Sequence, residues 1–368
     1  MKFAVIGAGN GGRAFAAYLV SKGYTLNLYN RSFTRICDIK KKHGIKSKGE
    51  IKGFFPIDLI TQDLKLAISD VDIIIIVTPA SAHRSIAKKI APHLFQDQIV
   101  LLNPGRTFGA VEFRKIIEEE RGSFPIFIAE TQTMLFTSRQ LKKNKVEILK
   151  VKNSVNFCAF PEKDNFFIYD TLVDIFPQLN IIDDYLEVTL NNIGMLLHPA
   201  LSLMNAGAID GRRAFKFYKE GATPRACEVL ETIQFELNKI FQKLGLKQIK
   251  FCKWANSSYG TKEKNIYETI QNIDAYRNIS APKTLMMRYL TEDVPTGLVP
   301  TASLGEFLQI DTPVLNSIIK LSSILSGIDF KKEGRTIENL GLEDYLTNRI
   351  KLEEPIEISE LESKKVKI

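Results

Sequence analysis

The sequence lacks any long hydrophobic run. Its most apolar stretch, Ile73–Val77, is far shorter than the ~20 residues a membrane-spanning helix needs. No membrane partner is expected. Cysteine is scarce: Cys37, Cys158, Cys227 and Cys252 stand singly, with no CxxC and no cysteine–histidine metal spacing. No metal site is expected, and sparse thiols suit a reducing compartment. Met1 leads directly into the strand pattern Lys2–Ile6, which leaves no room for a signal peptide, so a cytoplasmic location is expected. Histidine is equally scarce. Any histidine acid/base chemistry must choose among His43, His83, His93 and His198.

Lysine and arginine total 50 against 42 acids, a formal net charge of +8. That excess suits anionic ligands. The basic runs Lys40–Lys42, Lys88–Lys89 and Lys142–Lys145 are short, scattered and without interleaved aromatics, so they read as solvated surface rather than a nucleic-acid interface. At 368 residues the chain is long enough for two domains and a substantial core without disulfides.

Local patterns are clearest near the N-terminus. The apolar run Lys2–Ile6 is followed by Gly7-Ala8-Gly9-Asn10-Gly11-Gly12, a helical pattern ending at Gly23, and an alternating strand, Thr25–Tyr29. This is a βαβ unit. Asp70–Val77 and Ile99–Leu102 read as buried parallel strands, and Ile126–Ala129, Val146–Leu149 and Val155–Ala159 as further strands. Residues 1–184 therefore read as an α/β domain, a Rossmann-type doubly wound parallel sheet.

Gly7, Gly9 and Gly12 satisfy GxGxxG in its required setting between strand and helix. The first glycine permits the tight turn, the second lets backbone approach a pyrophosphate, and the third lets helix and strand pack closely. Gly7, Gly9, Asn10, Gly11 and Gly12 are thus the expected dinucleotide cradle. An NAD site usually has an acid at the end of the second strand. Here Asn30-Arg31-Ser32 stands there, with Arg35 one helical turn on, and arginine suits a 2′-phosphate. NADP(H) is favoured over NAD(H). Thr78-Pro79-Ala80 and Asn103-Pro104-Gly105 follow strands and are expected beside the nicotinamide half, although both also read as plain turns.

After Asp184 the character changes. Tyr185–Ile209 reads as one long helix, apolar on all sides and so central. Thr223–Leu244 and Thr312–Leu325 are helical patterns opened by Pro224 and Pro313. Residues 185–350 read as a mainly α-helical substrate domain, and 351–368 as a charged C-terminal tail. His198 lies in the long helix before Pro199, where a kink is expected. Such a histidine can be a plain core residue. The segment Arg288–Pro300 (RYLTEDVPTGLVP) adds an arginine able to grip a carboxylate and an aspartate able to orient an imidazole, Arg288 and Asp293. His83, near the nucleotide crevice, reads as structural or cofactor-side. Tyr218 and Glu220, and Thr131 and Gln132, are further cleft candidates.

These residues carry a resemblance. GAGNGG, Pro79–His83 (PASAH), Asn103–Gly105, His198-Pro199 with Asn205, Glu220–Pro224 (EGATP), Arg288–Pro300, and Gly334-Arg335-Thr336 with Gly341-Leu342 together resemble the opine dehydrogenases of the octopine/nopaline type, to about residue 345. The resemblance implies NAD(P)H-dependent condensation of an amino acid with a 2-oxo acid, through an imine reduced by hydride. It implies His198 as catalytic histidine, Asp293 as its partner and Arg288 as the carboxylate-binding arginine. Both a monomer and a homodimer are compatible with it. Two rivals stand beside it. One is a two-domain reductase of the ketopantoate or glycerol-3-phosphate dehydrogenase type, which relies on lysine. The other is a non-catalytic NADP-binding sensor.

Overall fold

The computed structural model describes residues 1–353. Residues 351–353 complete the last helix, Glu343–Glu353; the rest of the expected tail, 354–368, lies outside the described residues. The strands are β1 (Lys2–Ile6), β2 (Thr25–Tyr29), β3 (Gly44–Gly49), β4 (Gly53–Pro56), β5 (Leu59–Thr61), β6 (Ile73–Ile76), β7 (Ile99–Leu102), β8 (Phe127–Thr131), β9 (Phe136–Gln140), β10 (Lys145–Val151), β11 (Val155–Ala159) and β12 (Leu179–Ile181).

Eight of them form one sheet in the order β12-β11-β8-β7-β6-β1-β2-β5. It is parallel from β5 to β8, and β11 runs antiparallel to β8. The isoleucine run of β6 explains its own place. Ile73 and Ile75 pack with Phe3, Val5 and Leu101 on one face, while Ile74 and Ile76 pack with Ala4, Ile6 and Leu102 on the other. A strand buried on both faces needs no polar alternation. From β1 the chain moves outward to β2 and β5, then returns to β6 on the opposite side of β1. That reversal opens a crevice beyond the carboxyl ends of β1 and β6.

A second sheet, β4-β3-β10-β9, packs against the helix Asn10–Ser21 and has no counterpart in the sequence reading beyond the strand at Val146. β3 (GIKSKG) is mostly polar, and its parallel partner β10 lies about a hundred residues on, so no local pattern marks the pair.

The expected long helix over 185–209 is three helices: Tyr185–Leu190, Ile193–Met204 and Ala206–Asp210. Asparagines make the breaks. Asn191 Nδ2 donates to Glu187 O at 2.7 Å, and Asn205 Nδ2 donates to Leu201 O at 2.8 Å and Gly221 O at 3.0 Å. Asparagine side chains compete with the backbone ladder in this way. Pro199 lies inside the middle helix. Thr223 caps the helix Pro224–Lys243, its Oγ1 accepting from Ala226 N at 3.2 Å, and Pro313 opens Pro313–Ser326. A separate core joins Leu197 and Leu201 to Phe217, Leu230, Ile233 and Leu298. Finally the chain returns to the sheet domain, where Ile337 and Leu340 pack with Phe113 and Ile117. Among the described residues no helix is long and apolar enough to cross a membrane, and no group of three or more His, Cys, Asp or Glu is placed to hold a metal ion.

Candidate active site

The glycine turn follows β1. Gly7 has φ +116°, and a Cβ there would lie 2.7 Å from Val77 O. A Cβ on Gly12 would collide with the Gly7 carbonyl, so the third glycine is fixed by strand–helix contact. Gly9 differs: a Cβ there would meet nothing within 4 Å. Its outer side is open, and it precedes the helix Asn10–Ser21, whose start has neither a side-chain cap nor an acid in its first turn. A buried Thr78 Oγ1 without a partner lies beside the turn. Free amides, open space and a waiting hydroxyl together fit a pyrophosphate.

At the end of β2, Asn30 Oδ1 accepts from Ala8 N at 3.0 Å, tying that strand to the glycine turn. Arg31, Ser32 and Arg35 are exposed, and no acid stands among them. Buried Arg13 braces this edge by donating to Arg35 O at 2.7 Å, to Ala8 O at 3.0 Å and to Lys143 O. Burial and the neighbouring Arg35 push the Arg13 guanidinium down to about 10.

The second cluster assembles across the crevice. His198 Nδ1 donates to Asp293 Oδ2 at 2.7 Å, and its Nε2 is 3.0 Å from Tyr218 Oη. The imidazole stacks on Tyr289 with centroids 4.2 Å apart and planes 16° apart. The ring is thus fixed on three sides. Burial works against the Asp293 charge, but Arg106 and His198 outweigh it and hold the carboxyl below its usual range. An ionised acceptor at Nδ1 selects the Nδ1–H tautomer, so neutral His198 accepts at Nε2 from the Tyr218 hydroxyl. Burial, with neighbouring tyrosines, holds that phenol well above its ordinary value, so it stays a donor.

Arg106 completes the cluster. Its Nε is 3.3 Å from Glu292 Oε1, its Nη2 is 3.7 Å from Asp293 Oδ1, and its Nη1 donates to Asn192 Oδ1 at 3.2 Å. Burial lowers its guanidinium, yet the two carboxylates reverse that and leave it raised. Gly194 leaves the guanidinium its place, because a Cβ there would lie 2.8 Å from Arg106 Nη1 and displace it. A cleft of about 170 Å³ opens on this cluster, lined by His198, Arg106, Gln132, Thr133, Asn192, Trp254 and Tyr276 among others.

The structure brings His198, Asp293 and Tyr218 together. Arg288 is different. Its side chain is 57% exposed, its Nε lies 3.2 Å from Glu292 Oε2, and it is not among the residues lining that cleft. Ala80 N donates to Glu292 Oε1 at 3.4 Å, which links the Thr78–Ala80 turn to the same cluster. Glu220 lies elsewhere, in a separate 660 Å³ groove with Arg212, Arg213, Lys216 and Lys283. His83 is fully buried and touches Arg335 rather than the cleft; burial and then Arg335 hold its imidazole well below the usual value. Sequence reasoning missed Arg106, Asn192, Trp254 and Tyr276. For Arg106 a signal existed, since it directly follows the Asn103–Gly105 turn.

A glycine-turn sheet joined to a helical domain that presents a histidine–aspartate pair defines an NAD(P)-dependent oxidoreductase. The comparisons agree. Residues 2–122 match the family described as NAD-dependent glycerol-3-phosphate dehydrogenase N-terminus, and residues 181–326 match NAD/NADP octopine/nopaline dehydrogenase, alpha-helical domain. The chain is 38% identical over 341 residues to an opine dehydrogenase of Arthrobacter sp. (strain 1C), covering 92% of this chain and 95% of that one. It is 23% identical to vitopine synthase of Allorhizobium ampelinum, over 93% and 95% of the two chains. In fold it is similar to octopine dehydrogenase solved with NADH and L-arginine (TM-score 0.76, 18% identity, 93% and 96% covered). It is also similar to NADP+-bound yersinopine dehydrogenase (TM-score 0.70, 14% identity, 95% and 97% covered). The chain belongs to the opine dehydrogenase family.

Proposed function

We propose that this chain joins the amine of an amino acid to the carbonyl carbon of a 2-oxo acid and reduces the resulting imine to a secondary amine dicarboxylate, with His198 as acid/base. The observation that carries this is His198 held between Asp293 and Tyr218, 18% exposed at the cleft that Arg106 also lines. Condensation requires the amine to lose a proton and the carbinolamine hydroxyl to gain one. A histidine that exchanges a proton at Nε2 serves both steps near neutral pH. Asp293 stabilises the protonated ring, and Tyr218 donates to the neutral one. Gly7, Gly9, Asn10, Gly11 and Gly12 would hold the coenzyme pyrophosphate, and Thr78, Pro79 and Ala80 would line the nicotinamide side. When bound, the nicotinamide supplies the hydride.

The test is a matrix of amino acids against 2-oxo acids, followed by NADPH loss and product mass. NADPH should be consumed only when both substrates are present. The product should weigh the sum of the two, less water, plus two hydrogens. Consumption with an oxo acid alone would instead mark a simple keto reductase. A structural candidate for that rival is Lys152, whose ammonium donates to cleft-lining Thr133 at 2.9 Å and which burial pushes down to about 8. Coenzyme binding without turnover across the whole matrix would mark a sensor.

Asn30, Arg31, Ser32 and Arg35 favour NADP(H), because exposed guanidiniums in a segment with no acid from Asn30 to Arg35 can bind a 2′-phosphate. KM for NADPH is expected to be at least about tenfold below that for NADH, the worth of one charge-assisted hydrogen bond. Equal or better use of NADH would remove this preference.

Arg288, half-exposed beside Glu292, is assigned to a substrate carboxylate. Arg288→Ala should raise KM for the oxo acid by about 10- to 100-fold. A change confined to NADPH would contradict the assignment. The unpaired thiols of Cys37, Cys158, Cys227 and Cys252 support a cytoplasmic setting.

A further inference from the structure

An arginine far along the chain fixes the backbone around Arg106. Arg335 is 1% exposed. Its Nη1 donates to Gly105 O at 3.2 Å and to Thr107 O at 2.6 Å, the two carbonyls on either side of Arg106. Its Nε donates to Glu112 Oε2 at 3.0 Å, and its Nη2 is 3.2 Å from His83 Nδ1. Two main-chain bonds carry the link onward to the catalytic aspartate's own turn: Arg335 N donates to Pro295 O at 3.0 Å, and Thr107 N donates to Thr296 O at 3.1 Å.

The turn needs such holding. Arg106 has φ +62°, a left-handed conformation that a residue with a long side chain keeps only where its surroundings impose it. That conformation directs the guanidinium at Glu292 and Asp293. We propose that Arg335 is a positioning residue, which locks the Arg106 backbone from both sides and so fixes how the Asp293 charge is divided between Arg106 and His198. The inference rests on the reading of His198 and Asp293 as the acid/base pair. Only a planar fork with several donors can serve two carbonyls, a carboxylate and an imidazole at once; lysine offers a single point.

The groups that face this device are few. Around Arg106 stand Glu292 and Asp293, with His198, Arg288 and His83 beyond them; Asp293 also faces Tyr218 and Tyr289. Around Arg335 stand Glu112, His83 and Glu130, and Arg84 pairs with Glu112 from its other side. If Arg106 drifts away from Asp293, the carboxylate acts on His198 alone and favours its protonated form.

The experiment compares Arg335→Lys and Glu112→Gln with the unaltered full-length chain, using NADPH and the substrate pair found in the matrix. Arg335→Lys should lower kcat about 10- to 100-fold through misplacement alone. It should move the pH–rate profile upward by about one pH unit, with KM for NADPH unchanged. Glu112→Gln should shift the profile in the same direction by less, and it answers the question if Arg335→Lys does not fold. An unmoved profile in a folded variant would overturn the proposal, as would a kcat loss that merely tracks the folded fraction measured by melting. His198→Ala separates the two readings. If that variant stays active, the acid/base reading has failed; if it is inactive while Arg335→Lys and Glu112→Gln keep the normal profile, only the positioning role has failed.

Discussion

Replacing His198 by alanine should lower kcat by about 10²- to 10⁴-fold, the usual worth of a positioned general acid/base, while leaving NADPH binding nearly intact. The reason lies in the layout. The residues assigned to the coenzyme pyrophosphate stand on the turn after β1, whereas His198 is fixed by Asp293, Tyr218 and Tyr289 in the helical domain. The imidazole's partners, Asp293, Tyr218 and Tyr289, all lie outside the glycine turn. The substitution also leaves Asp293 Oδ2 without its 2.7 Å donor, so some loss of stability accompanies it. His198→Asn separates the two effects: its amide can still donate to Asp293 but cannot exchange a proton near neutral pH. Turnover should stay low in both variants, and the melting temperature should be closer to normal in His198→Asn. Coenzyme titration by calorimetry supplies the second readout. Wild-type turnover in either folded variant would remove His198 from the mechanism.

How much of this was legible in the sequence depends on how local each signal is. The glycine turn, β1, β2, β7 and the proline-opened helices carry their information within a few neighbouring residues, and they appear where expected. The small sheet does not, because β3 finds its parallel partner about a hundred residues later and exposes every other side chain. The helix over 185–209 misled for a related reason. Asn191 and Asn205 look polar but compatible with a helix, and only their bonds to Glu187 O, Leu201 O and Gly221 O show that they interrupt it. The site splits likewise. His198 and Asp293 are 95 positions apart, and family resemblance rather than spacing placed them together. Arg106 and Arg335 lay within quoted motifs or next to them, yet their meaning depends on carbonyl and carboxylate directions that only the folded chain defines.

Removing the Arg106 charge should be the most destabilising single change in the site. Arg106→Met keeps the length and bulk of the side chain but leaves Glu292 and Asp293, 4% and 0% exposed, facing one another's charge without their shared cation. Removing one partner of a buried pair costs about 3–5 kcal/mol. Here the 3.7 Å separation from Asp293 and the remaining partners, His198 and Arg288, place the expected loss near the lower end. About 3 kcal/mol corresponds to a melting shift of roughly 6–12 °C for a unit of 150–250 residues. The pH dependence gives the sharper test. In the wild type Asp293 is depressed below its ordinary value, so its contribution is fully present above about pH 4 and is lost as pH falls through the folded value. In Arg106→Met the burial that already opposes the Asp293 charge loses its strongest counterweight. The carboxyl then titrates higher, and the variant gains stability on acidification where the wild type loses it. The gap between the two melting curves should therefore be widest at neutral pH, begin to narrow above pH 4 as the variant's carboxyl takes up its proton, and narrow further below about pH 4 as the wild type loses stability. A constant gap across that range would mean that Arg106 stabilises the fold by packing and its bond to Asn192 rather than by neutralising the two acids.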